Sequence, residues 1–196
     1  DVAFPSVRPR PYQKPHPPLA RACTGDASLV EMAKIGRPVL IRGNSCNVTG
    51  EKIKLYRDTM SAAGFSDEAV EQSLDQLWVW REMHIAETND QAFDDFLSSH
   101  HAAYQRLEDI RAEWNPPEME ISMQRAPLGR ADYGEAPNRD APENLVGGYK
   151  RVAEQMASLR DVGVRNLMLT NRGLVSQEKA NKSLRLLSKK IMPSFR

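Results

Sequence analysis

The sequence predicts an α/β fold in which short buried strands alternate with amphipathic helices and lie parallel in one sheet. Apolar runs at Leu19–Cys23, Val39–Ile41, Leu77–Ala86 and Val164–Leu169 are separated by segments whose apolar residues recur at helical spacing. Glycine and proline stops, such as Gly36-Arg37-Pro38, Gly64 and Gly163, keep several helix ends short. Apolar runs joined by a helix and short loops build parallel sheets, whose ligands sit at the C-terminal ends of the strands.

The chain has 196 residues, 40% of them hydrophobic and 27% charged, which is ordinary globular composition with enough length for one domain spanning 1–196. A formal net charge of +1 gives no broad attraction to nucleic acid or to an anionic membrane surface. No apolar run has the length of a membrane span, and no basic segment followed by an apolar one opens the chain. Cys23 and Cys46 are the only cysteines, too few for a disulfide framework, and no histidine or cysteine cluster has metal-ligand spacing. A cytoplasmic protein without a metal is the expectation.

In chain order, Asp1–Phe4 reads as the end of a strand, and the start at Asp1 suggests a fragment. Pro5, Pro9, Pro11, Pro15, Pro17 and Pro18 impose an extended lead-in with few amide donors. His16 lies there without an acidic or cysteine neighbour, so packing or surface exposure is expected of it. Leu19–Cys23 then forms a strand, interrupted by Thr24-Gly25-Asp26, and Leu29, Met32, Ala33 and Ile35 mark a helix.

The turn between them can do one of two things. Its hydroxyls at Thr24 and Ser28, the close approach allowed at Gly25 and the free N–H groups of the helix start suit an anion such as phosphate. Taken alone, the turn favours the plainer role, in which Thr24 or Asp26 caps the helix, and the Asp26 carboxylate would repel an anion unless it points away.

Arg42–Gly50 reads as a polar loop at the end of a strand, with Arg42 facing ligand or pairing with a carboxylate and Cys46 lacking an activating partner. A helix carrying Ile53, Leu55, Tyr56, Met60 and Ala63 follows, and Ser66-Asp67-Glu68 starts another. Trp78 and Trp80 belong to the third strand, where core packing is expected. Thr88 and Gln91 form a capping box for a long helix from Asn89 to about Trp114. His100 and His101 within it have no partner in metal-ligand register. Residues 115–149 lack periodicity and read as a long loop or lid. A helix closed by Gly163, the strand Val164–Leu169 and a last amphipathic helix with Leu184, Leu187 and Ile191 complete the chain.

Four stretches in collinear order carry a resemblance. They are Pro15-His16-Pro17-Pro18 through Thr24-Gly25-Asp26-Ala27-Ser28 to Gly36-Arg37-Pro38; Trp80 to Asp90; Val152 to Leu169; and Ser183 to Arg196. Together they resemble the C-terminal half of the bacterial luciferase-like, flavin-dependent monooxygenases. The resemblance implies half of a TIM (β/α)8 barrel, and a complete barrel of about 250 residues has twice the four strand candidates found here.

It further implies an oxidoreductase, a flavoprotein monooxygenase that uses O2 and reduced FMN, supplied by a separate flavin reductase, to oxygenate a small organic substrate, and that works as a homo- or heterodimer. Ala22, Cys23, Thr24, Gly25 and Ser28 match the family segment that holds the flavin phosphate and ribityl chain. The family's catalytic histidine belongs to the other half, so no residue here is expected to be catalytic. Two alternatives stay open: a deazaflavin-dependent oxidoreductase of the same superfamily, and a non-catalytic flavin-binding or subunit-pairing protein.

Overall fold

Five parallel strands form a single sheet in the computed structural model, which describes residues 9–14, 16–42, 45–114, 144–171 and 175–195. In chain order these are β1 (Arg21–Cys23), α1 (Asp26–Lys34), β2 (Val39–Arg42), α2 (Cys46–Ala62), α3 (Asp67–Asp75), β3 (Trp78–Ala86), α4 (Asn89–Trp114), β4 (Leu145–Gly148), α5 (Tyr149–Asp161), β5 (Asn166–Thr170) and α6 (Gln177–Leu186). A π-helical turn at Leu187–Ile191 and a 3₁₀ turn at Met192–Phe195 follow.

β1 pairs with β2 and β2 with the start of β3, in registers such as Cys23 with Ile41 and Arg42 with Trp80. β3 is long enough to serve three neighbours. Its residues 78–82 pair with β5, opposite the edge used by β2, and 83–86 pair with β4.

Side chains alternate along a strand, so each strand has one residue set per face. Cys23, Val39, Ile41, Val79, Met83 and Ile85 join Leu29 and Ala33 of α1, Ile53, Tyr56 and Met60 of α2, Val70 and Leu74 of α3 and Val152, Met156 and Leu159 of α5 in the main core. This is the helix-covered outer face of a section of barrel. The opposite set is Ala22, Leu40, Arg42, Trp78, Trp80, Glu82, His84 and Met168, on the face that a closed barrel turns inward.

Several expectations need correction. Five strands are present rather than four, because Leu145–Gly148 pairs with the end of β3 and does not belong to a loop. That strand is short and half glycine, which hides it from pattern reading. The loop expected over 115–149 therefore ends earlier, and its part at 115–143 lies outside the described residues.

The polar loop expected over Arg42–Gly50 is helical from Cys46, because Ser45 accepts a hydrogen bond from the Val48 amide as its cap. Gly50 serves packing instead: a Cβ there would lie 3.1 Å from Cβ of Val162, so its absence lets α2 approach the end of α5. Trp78 and Trp80 are not in the main core. Trp78 is 42% exposed and both rings belong to the inward-turned face.

Candidate functional site

β1 ends at Cys23, and Gly25 starts α1 as its N-cap with no side-chain hydrogen bond to the helix amides. The capping role considered for Thr24 or Asp26 is thus not taken by either. Gly25 has φ −125° and ψ 163°, an extended conformation that any residue adopts, so left-handed freedom is not why glycine stands there. A Cβ added to it would meet nothing within 4 Å, which leaves the helix start open to solvent.

Ser28 Oγ donates to the Gly25 carbonyl at 2.8 Å, committing its hydrogen to the backbone. Cys23 is 2% exposed and turned into the main core, whereas Ala22 is exposed on the inward face. The structure therefore gathers Thr24, Gly25 and Ser28 at one helix start, with Ala22 on the adjoining wall, and takes the Cys23 side chain elsewhere.

One group near this turn escaped sequence reading. Lys52, from the second turn of α2, reaches across to donate to the Thr24 carbonyl at 3.4 Å and lies 3.8 Å from Oδ1 of Asp26. Its side chain is only 13% exposed, so the ammonium sits beside the turn in partly desolvated surroundings, while Asp26 is 68% exposed. The Asp26 carboxylate is thereby drawn toward a cation. No spacing rule joins Lys52 to Thr24; the packing of α1 on α2 does.

The C-terminal half of β3 carries a second polar cluster. His100 Nε2 lies 2.7 Å from Oε2 of Glu82 and its Nδ1 lies 3.0 Å from the Phe96 carbonyl, with both residues buried. No partner for His100 is visible in the sequence, because Glu82 is on a different element. His84 Nε2 lies 3.3 Å from Oδ2 of Asp95, whose other oxygen accepts from Lys179 at 2.5 Å. Burial pushes the His84 imidazole below its ordinary value, outweighing Asp95, which pulls it up. Burial pushes the Asp95 carboxyl up, but the bonds and charges of Lys179 and His84 together hold it below the usual carboxylate range. At the other named thiol, Cys46, burial raises the pKa, so it is not an activated thiolate.

A parallel sheet with helices between its strands, and an uncapped helix start with an adjacent lysine at its C-terminal rim, defines the class as α/β. The family model described as luciferase-like monooxygenase matches residues 3–166, and the chain belongs to that family.

Solved structures of similar fold include the monooxygenase RslO1 from Streptomyces bottropensis, at 22% identity and TM-score 0.61, covering 96% of this chain and 51% of that one. The oxygenating constituent of 3,6-diketocamphane monooxygenase from Pseudomonas putida, solved with FMN, is 16% identical with TM-score 0.63 over 91% of this chain and 49% of its own. Coenzyme F420 dependent tetrahydromethanopterin reductase from Methanopyrus kandleri is 15% identical with TM-score 0.59 over 91% and 51% respectively. At these identities the likeness is one of fold, and the chain spans about half the length of each. No curated protein matches it. Among the described residues no helix is long and apolar enough to cross a membrane.

Proposed function

We propose that this chain supplies the flavin-phosphate-binding part of an FMN-dependent monooxygenase, which takes reduced flavin from a separate reductase and acts on a small organic substrate in the cytoplasm. The observation that carries the reading is the start of α1: uncapped amides, open space at Gly25 and a largely buried Lys52 beside them. These groups fit a phosphate. The amides of α1 would donate to its oxygens, Lys52 would balance its charge, and Ala22 would leave room for the ribityl chain along the inward wall. Bound reduced flavin would supply the electrons with which O2 delivers one oxygen atom to the substrate. This chain's part is to bind and orient.

In this reading Lys52 carries more weight than Ser28, whose hydroxyl hydrogen is already used by the Gly25 carbonyl. Lys52→Met is expected to weaken FMN binding by about ten- to a hundredfold, the equivalent of about 1.5–3 kcal/mol for a hydrogen bond to a charged group, and to leave riboflavin binding unchanged. Ser28→Ala should weaken it less. Fluorescence-quenching titrations of the chain with FMN and riboflavin measure both, and equal losses for the two flavins would put the phosphate elsewhere. A deazaflavin titrated alongside separates the deazaflavin-dependent alternative.

A further inference from the structure

The docked part of α4 is short. Ala92, Phe93 and Phe96 on one face pack with Ala86 and Val146, with Leu97 at the margin and the His100 ring against Phe96, whereas Ile110 and Trp114 farther along are 44% and 74% exposed. So small an apolar contact leaves the decision to the polar groups beneath it. Two imidazole–carboxylate pairs join α4 to β3, His84 with Asp95 and His100 with Glu82, and Lys179 of α6 holds Asp95 from the other side.

We infer that the His84–Asp95 pair forms an acid-sensitive latch: with His84 neutral, α4 stays down on the inward face at the end of β3, and a proton on His84 releases it.

The hydrogen-bond pattern gives the direction. Asp95 accepts from His84 Nε2, so the neutral ring carries its proton there and presents a lone pair at Nδ1. His84 is 1% exposed and its Nδ1 is buried, with no hydrogen-bond partner among the described residues. A proton added at Nδ1 would create a buried N–H and a buried charge without an acceptor.

Of the charged groups around the ring, Asp95 favours that charge but is already shared with Lys179, which opposes it. Glu82, on the same face of β3, is engaged by His100, and Arg151 of α5 lies over the Phe93 ring, 5.2 Å from its centroid.

The sign follows from linkage. His84 titrates below its ordinary value of about 6.5 when α4 is docked and near that value when α4 is lifted, so the lifted state binds the proton more readily. Docking is fully supported above about pH 6.5 and weakens as pH falls from there through the docked-state value, by at most about tenfold per pH unit for one proton.

Two measurements on the unmodified chain test this. In a histidine carbon-proton NMR titration, His84 should have its midpoint below about 6.5; a midpoint at or above that overturns the latch. In hydrogen exchange between pH 7.5 and 5, corrected for the intrinsic rate, amides 92–100 should lose protection progressively relative to those of α2, and equal behaviour of the two helices also overturns it. His84→Gln, which keeps an N–H toward Asp95 but does not titrate, should remove the pH dependence. If that variant does not fold, the NMR midpoint still decides.

Discussion

Tyr56→Ala is expected to destabilise the chain by about 3–5 kcal/mol, a large share of the 5–15 kcal/mol that holds a typical domain together. Tyr56 is 0% exposed in the middle of α2, where its ring fills the space among α1, α3 and the sheet. Its hydroxyl donates to the Arg37 carbonyl at 2.7 Å, tying α2 to the turn that feeds β2. Burial accordingly raises its pKa.

Tyr56→Phe keeps the ring and removes the hydroxyl with its bonds to the Arg37 carbonyl and the Ser73 side chain, so about 1–2 kcal/mol is expected. For a chain of this length each kcal/mol moves the melting temperature by about 2–4 °C, so thermal unfolding followed by circular dichroism separates the two variants readily. An alanine variant within about 1 kcal/mol of the parent would mean that α2 does not anchor the outer layer.

The strand and helix alternation was legible because its signals are local. The helix from Asn89 to Trp114 was found to its bounds, with Thr88 accepting from the Gln91 amide as the capping pattern implies. What failed depends on contacts distant in sequence. Leu145–Gly148 becomes a strand only because β3 runs on past β5 and offers it an edge. Trp78 and Trp80 have strand character from composition, but which face they occupy follows from the pairing that sends Val79 into the core.

The turn at Thr24–Ser28 was legible as a strand-to-helix junction, whereas Lys52 reaches it through helix packing across 28 residues. The Glu82–His100 pair was hidden for the same reason, since the residues are 18 apart on different elements.

The inward face leads to the second large effect. Trp78 and Met168 are 42% and 43% exposed on it, Ala22 is exposed beside them, and Leu40 and Trp80 are half-buried. β1 and β5 bound the sheet on either side, each with only one pairing neighbour among the described residues. Exposed strand edges beside an apolar face favour association.

The chain at tens of micromolar is therefore expected to run on size exclusion with light scattering above the 22.1 kDa of one copy. Placing carboxylates at the two exposed large side chains of this face, Trp78→Glu with Met168→Glu, removes about 1.5–3 kcal/mol of burial per side chain. The association constant should then fall by about two to four orders of magnitude, and the double variant should elute as a monomer. The substituted residues lie on the face opposite the main core, so its unfolding midpoint should stay close to that of the parent. A parent chain that is monomeric across the concentration range would show that the inward face is compatible with water, and that this section of barrel holds its shape without an opposite wall.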